Sequence, residues 1–424
     1  MTPVDLLVHS AAQLVTVASP GGAKRGSAMA ELGLITDGAV AIAGGRIVAV
    51  GASEEILKAH EAREEIDASG RTVCPGFVDP HTHLVYAGDR VDEFERRIRG
   101  ETYQEIAAAG GGIAATVRAT RAATVPTLVE QSQYRLDTML GLGTTTAEVK
   151  TGYGLDATSE MKLLRAIQRL DRRGPVELVP TFMAAHAVPP EFAGRVDAYV
   201  DLVIEELLPA AAGWHRASPF AASERPLFVD VFCEKGAFDV AQSRRVLEAA
   251  RAESLPLKAH VDQFTEMGGL ALALELGAVS VDHLDVTGRA GIAQLAASPS
   301  IAVVIPTVPF NLADAKYADA RAMIDAGAAV ALTTDINPGS SPCPSMPLAM
   351  AIACRYQKLA PAEAMAAATL NAAHAIGLGG RIGSLEAGKQ ADLIVCDVPD
   401  YRYLTYEFGG NSVVEIVKQG KIVT

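Results

Sequence analysis

Residues Gly143–His186 read "GTTTAEVKTGYGLDATSEMKLLRAIQRLDRRGPVELVPTFMAAH". A short apolar run is followed by a helical stretch, "ATSEMKLLRAIQRLDRRG", and then by a second apolar run, which is the pattern of a strand, a crossover helix and a parallel strand. The same unit recurs along the chain. Candidate strands are "TVCPGFVDPH", "GTTTAEVKTGYG", "VELVPTFMAAH", "LFVDVFCEK", "LPLKAHVD", "AVSVDHL", "IAVVIPT" and "AVALTTDINPG", with helical segments such as "AQSRRVLEAARAES" and "MGGLALALELGA" between them. Eight strand-then-helix units predict an α/β chain whose parallel sheet closes as a (β/α)8 TIM-like barrel. A doubly wound open sheet is the alternative, but it does not usually need eight such units.

Both ends of the chain have a different texture. "DLLVHSAAQLVTV", "GAVAIAGGRIVAVG" and "REEIDASGRTVCPGF" are short β-like runs separated by Gly, Asp and Ser turns, and "GSLEAGKQADLIVCD" and "VVEIVKQGKIVT" repeat that texture at the C-terminus. The two ends are therefore expected to combine into a small β-sandwich domain, from residues 1–72 and 381–424, beside a barrel spanning 73–380.

Composition limits the function. Of 424 residues, 49% are hydrophobic and 21% charged, which is ordinary for a folded protein. A net charge of -13 disfavours nucleic acid or an anionic membrane as the main partner. Five scattered cysteines, never in a C-x-x-C pair, argue against a disulfide framework and against a thiolate zinc site, and fit a reducing cytoplasm. The N-terminus lacks a basic segment followed by an apolar one, so no secretory signal is expected. The uncharged stretch Ala290–Ala313 contains Pro299, Pro306 and Pro309 and reads as a helix followed by a strand, not as a membrane span.

In a barrel of this kind the active site forms at the C-terminal strand ends. His81 and His83 end the first strand, His186 the third, His260 the fifth, His283 the sixth and Asp335 the eighth, so five of the nine histidines fall where chemistry is expected. Residues i and i+2 of a strand share a face, which lets His81 and His83 reach one ion. Three imidazoles and a carboxylate suit zinc or ferrous iron. His81, His83, His260 and Asp335 are thus the candidate ligands of one ion that leaves a position for water, and such a water becomes a nucleophile near neutral pH. His283 is placed to orient that water or shuttle its proton, and Asp335 to act as general base.

"GFVDPHTHL", with the later strand-end His residues and Asp and the returning "GSLEAGKQADLIVCD", resembles the amidohydrolase superfamily. Within it, "DPHTHLVYAGDR", "EVKTGYGL", "TFMAAHAVP", "FCEKGAF", "KAHVDQ" and "TTDINPGS" resemble the imidazolonepropionases over nearly the whole chain. The resemblance implies metal-dependent hydrolysis of the ring amide of 4-imidazolone-5-propanoate to N-formimidoyl-L-glutamate, a step of histidine degradation. It also implies a metal site at His81, His83, His260 and Asp335, and substrate contacts at Arg90, Tyr153, His186, Gln263, Asn337, Gly339 and Ser340. The partner is then a small molecule, and a homodimer is the expected assembly.

The residue types agree with that substrate. Arg90 offers a fork suited to a carboxylate; its bland alternative is pairing with Asp89 or Asp92. Tyr153, between glycines in "TGYG", presents a phenol or is simply buried. His186 either polarises the carbonyl under attack or is an ordinary core histidine. "NPGS" is a turn whose backbone amides and Ser340 hydroxyl suit an oxyanion or carboxylate. Lys235, after Glu234, is not expected to be a carboxylated bridge between two metals, and Lys150 reads as structural. Two other functions are weighed: a purine or pyrimidine deaminase, which needs no carboxylate clamp, and a silent barrel used as a scaffold, which is expected to have lost ligands.

Overall fold

The computed structural model describes all residues but 103, 104, 107, 108 and 424. Its central sheet has eight parallel strands in chain order: β1 (Phe77–Asp79), β2 (Thr144–Lys150), β3 (Glu177–Ala185), β4 (Phe228–Cys233), β5 (Lys258–Val261), β6 (Ser280–His283), β7 (Ile301–Val304) and β8 (Ala329–Leu332). Nearly every residue in them is buried, as expected of a parallel sheet covered on both faces. The hydrogen-bonded ladder runs from β1 to β8, and side-chain bonds together with a backbone bond span the remaining seam. Thr333 and Thr334 donate their hydroxyls to Asp79, and the His83 N–H reaches the Ile336 carbonyl at 3.0 Å. The (β/α)8 barrel anticipated from the strand-helix units is the fold observed.

One end of the barrel is plugged. Val78, Val179, Phe228, Ile301 and Ala329, most of them at strand starts, pack with Ala372, Ala373 and Ile376 at the helix Leu370–Ala375. The opposite, C-terminal end is left for polar groups.

A second, mixed sheet gathers both termini. Its order is Lys421–Ile422, Val413–Lys418, Leu393–Cys396, Thr72–Pro75, Thr2–Val15, Leu34–Ala43, Arg46–Ala52, with His60–Asp67 also paired to the long strand Thr2–Val15. The ladders run as one continuous mixed sheet built from both termini, and its long first strand carries a register shift between Val8 and Ala11. Leu6, Leu14, Val73, Val395 and Val417 share one core on it.

The run "TVCPGFVDPH", read above as one strand, is divided between the two sheets. Thr72–Pro75 pairs with Leu393–Cys396, and Phe77 begins the barrel. The break falls at Gly76, where an added Cβ would lie 2.9 Å from Thr145 Cβ and closer still to its branch atoms, so only glycine fits. Lys418 bolts the sheets together: its buried Nζ lies 2.7 Å from Asp392, 3.2 Å from Glu177 and 3.1 Å from the Thr146 hydroxyl. The stretch Ala290–Ala313 includes most of the helix Arg289–Ala297 and the strand β7, and no helix among the described residues is long and apolar enough to cross a membrane.

Candidate metal centre and active site

Beyond β1 the chain is clamped on both sides. The Thr82 hydroxyl donates to the Glu148 carbonyl at 2.6 Å and its N–H approaches the Glu148 carboxylate at 3.2 Å, while the His83 N–H is held from Ile336. Thr82 is thus committed to β2, and the flanking His81 and His83 turn the other way, with ring centroids 5.3 Å apart. There they meet His260 of β5 and Asp335 beyond β8. His83 Nε2 lies 3.3 Å from His260 Nε2, His81 Nε2 lies 3.5 Å from Asp335 Oδ1, and His83 Nε2 lies 3.8 Å from the same oxygen. All four side chains are buried.

His81 Nε2 and Asp335 Oδ1 have no hydrogen-bond partner although both are sealed from solvent. Buried polar atoms are nearly always satisfied; here the unsatisfied ones converge with two further imidazole nitrogens, a donor set that fits zinc or iron. Burial holds His81 and His83 well below the usual histidine range, so both rings are neutral, the form that ligates. Burial pushes the Asp335 carboxyl well above its ordinary value. His283 stands beside the cluster, 5.0 Å from His260 between ring centroids; its Nδ1 is also unpartnered, with Asp285 3.9 Å away. His283 and Asp335 both have positive φ, at 81° and 46°, a conformation that costs on the order of 1–3 kcal/mol each and clusters at functional sites.

A layer behind the candidate ligands was not singled out from the sequence. His81 Nδ1 is 2.7 Å from Asp282 Oδ2, and His260 Nδ1 is 3.0 Å from Asp230 Oδ1, so each of these rings is gripped on its far side and aims Nε2 at the centre. His260 and the Lys150 ammonium hold the Asp230 carboxyl well below the usual range despite the opposing effect of burial. Lys150 is itself buried among carboxylates. Burial alone would lower its pKa, but Asp230, Glu148 and Asp282 together raise it. A signal for this layer was present in charged residues inside runs that must be buried on both faces: Glu148 and Lys150 in "AEVK", Asp230 in "FVDVF" and Asp282 in "SVDHL".

Around this centre the other expected residues are placed unequally. His186 stacks on His83, with centroids 4.7 Å apart and planes at 20°, and the buried Tyr153 ring lies 5.5 Å from His186. His186 Nδ1 is 3.1 Å from the Gly152 carbonyl, and a carbonyl only accepts, so Nδ1 carries the proton. Burial brings this histidine down to about 3, so its Nε2 is bare and accepts hydrogen bonds. In the tautomer this contact favours, the ring presents an acceptor, where polarising the carbonyl under attack would use a donor. Burial also keeps the Tyr153 phenol protonated well past its ordinary range, and thus a donor.

The "NPGS" turn differs from the expected oxyanion cradle as well. Asn337 Oδ1 already accepts the N–H groups of Gly339 and Ser340, at 2.9 and 2.8 Å, and Asn337 Nδ2 donates to the Ser340 hydroxyl at 2.9 Å. The amides serve the turn, and what the turn offers instead is a flat glycine floor at Gly339 against which the Arg90 guanidinium lies. Arg90 is paired with Glu93, not with Asp89 or Asp92. Gln263 is half-buried two residues beyond β5. Lys235 is exposed, and its neighbour Glu234 instead ties the end of β4 to the N–H groups of Phe264 and Thr265.

The sequence pattern of the amidohydrolase family matches residues 72–423, and that of an imidazolonepropionase-like composite domain from bacteria matches residues 38–60. An imidazolonepropionase of Chloroflexus aggregans is 62% identical over 423 residues, covering 100% of this chain and 99% of that one. Another, of Herpetosiphon aurantiacus, is 50% identical and covers 100% and 98%. Among solved structures, an adenosine deaminase from Xanthomonas campestris with bound zinc superposes with a TM-score of 0.69 at 20% identity, covering 99% of this chain and 93% of that one.

Proposed function

The chain belongs to the amidohydrolase family, among the imidazolonepropionases, and from that premise we propose that it opens the ring amide of 4-imidazolone-5-propanoate to give N-formimidoyl-L-glutamate in histidine degradation. In this reading His81, His83, His260 and Asp335 hold one divalent ion, zinc or iron. The observation that carries it is the pair of buried, unpartnered atoms, His81 Nε2 and Asp335 Oδ1, facing two more imidazole nitrogens. When bound, the ion supplies Lewis acidity and a water that loses its proton near neutral pH.

The chain's own residues do the rest. Arg90 takes the propionate, a role a chain of net charge -13 needs a local cation for. Tyr153 donates its hydroxyl to the substrate, and His186, with Nε2 bare, accepts a ring N–H, so donor and acceptor fix the ring between them. Asn337, Gly339 and Ser340 form the floor under Arg90, and Gln263 borders the ring from β5. Asp335 accepts the proton of the attacking water, with His283 beside it to relay that proton. As the bond between the ring carbonyl carbon and nitrogen breaks, the nitrogen leaves protonated and the carbonyl becomes the new carboxylate.

The remaining parts of the reading concern setting. The enzyme works in the cytoplasm as a homodimer, for which exposed Tyr356, Tyr406 and Phe408 offer apolar surface. The test is the disappearance of freshly made imidazolone propanoate, run beside guanine, cytosine and hydantoin at equal enzyme. Faster turnover of any of the other rings rejects the substrate and leaves a metal-dependent hydrolase of another kind.

A further inference from the structure

We propose that Lys150 is the positioning residue for the metal centre, aiming two of its ligands at once through the carboxylates behind them. This rests on the metal reading of the site given above.

Lys150 ends β2 and is wholly buried. Its Nζ lies 2.7 Å from Glu148 Oε1, 2.7 Å from Asp230 Oδ2 and 3.6 Å from Asp282 Oδ2. Asp230 grips His260 with its other oxygen, and Asp282 grips His81 with the same oxygen that faces the lysine. One ammonium on β2 therefore reaches β4 and β6, the two strands that flank His260. A carboxylate that holds a histidine by one atom still swings about its own χ angles. A hydrogen bond on the second oxygen of Asp230 removes that freedom, and the direction of His260 Nε2 follows from it. Asp282 is held on its second oxygen by the Ser280 hydroxyl at 2.7 Å, and the Lys150 charge, 3.6 Å from the first, adds to that hold.

The bland account is that a buried lysine simply needs counter-charges. Lys258 shows what that account predicts. It is equally buried, sits two residues before His260, and belongs to the same cluster. Its hydrogen bond, however, goes to the Pro80 carbonyl at 2.7 Å, and it stands 3.7 Å from Asp282 and 3.8 Å from Glu148. The two lysines match in charge and burial and differ in which of them holds a histidine-bearing carboxylate by a hydrogen bond.

The experiment measures zinc affinity of the full-length, chelator-stripped protein by competition with a chromophoric chelator, with folding checked by circular dichroism. Lys150→Met is expected to weaken zinc binding about 10- to 100-fold, the range for lost partners of metal ligands, and Lys258→Met less than about threefold. Equal losses in the two variants, or wild-type affinity in Lys150→Met, would overturn the proposal. If Lys150→Met does not fold, Asp230→Asn and Asp282→Asn, singly and together, report on the lysine without touching it. Because both carboxylates answer to one ammonium, their losses are expected to combine non-additively by about threefold or more, and strictly additive losses overturn the proposal. Wild-type protein that binds no zinc or iron rejects the metal centre itself, a result distinct from failure of the lysine's role.

Discussion

Arg90 places both Nε and Nη2 on a single oxygen of Glu93, at 2.8 and 2.7 Å, while the other Glu93 oxygen accepts the Gly112 N–H at 2.8 Å. Glu93 thus sets the plane of the guanidinium, whose Nη1 lies over Gly339, and in the proposed reading that guanidinium meets the propionate. A charged hydrogen bond contributes about 1.5 to 3 kcal/mol, so Arg90→Ala should lower kcat/KM for imidazolone propanoate about 10- to 100-fold. A ring analogue without the carboxylate should be poor for the wild type and little changed by the substitution. Equal losses on both compounds would remove Arg90 from the role of clamp. Steady-state kinetics with the two compounds decide it.

Gly339 offers a subtler probe of the same contact. A Cβ built there would come within 2.6 Å of Arg90 Cζ, so Gly339→Ala must push the guanidinium off its floor. The glycine's backbone groups would stay, as would the metal ligands. The expected result is a KM raised roughly tenfold or more, of the order of one lost charged hydrogen bond, with metal content and melting temperature near those of the wild type. An unchanged KM would show that the carboxylate is held elsewhere.

His260 is gripped on one side by Asp230 and faces His83 on the other, which fixes its ring toward the centre. His260→Ala should abolish stoichiometric metal and turnover together, since three remaining ligands no longer match the geometry the ion requires. Metal analysis of the purified variant is the check. Retained stoichiometric metal would count heavily against the assigned ligand set.

The strands were legible because period and length suffice for them: all eight barrel strands lie within runs marked by apolar residues, and the strand ends carried the histidines. What the sequence hid is relational. "TVCPGFVDPH" reads as one strand because nothing local says that its first half pairs with Leu393–Cys396, some three hundred residues away. Asp230 and Asp282 appear as isolated charges until β4, β5 and β6 are laid side by side and bring them against His260 and His81. The proton on His186 depends on the Gly152 carbonyl, a contact no spacing rule contains. The "NPGS" amides look free in sequence, and only the Asn337 rotamer shows that they are taken.

Asp335 and His283 compete for the base role, and their surroundings separate them. Asp335 Oδ1 points at the candidate ligand nitrogens and has no hydrogen-bond partner, which sets it against a water held at that centre. His283 lies beside the candidate ligands, 5.0 Å from His260 between ring centroids, with its Nδ1 3.9 Å from Asp285. Asp335→Asn preserves shape and one ligating oxygen but cannot take up a proton, so the rate should fall roughly 10²- to 10⁴-fold, the span of a lost general base. His283→Asn, which leaves the ligand set intact, should cost less than that. Single-turnover rates on variants with verified metal content separate chemistry from metal loss. A fall below tenfold in Asp335→Asn, with a larger one in His283→Asn, would move the base to His283 and leave Asp335 as a ligand alone.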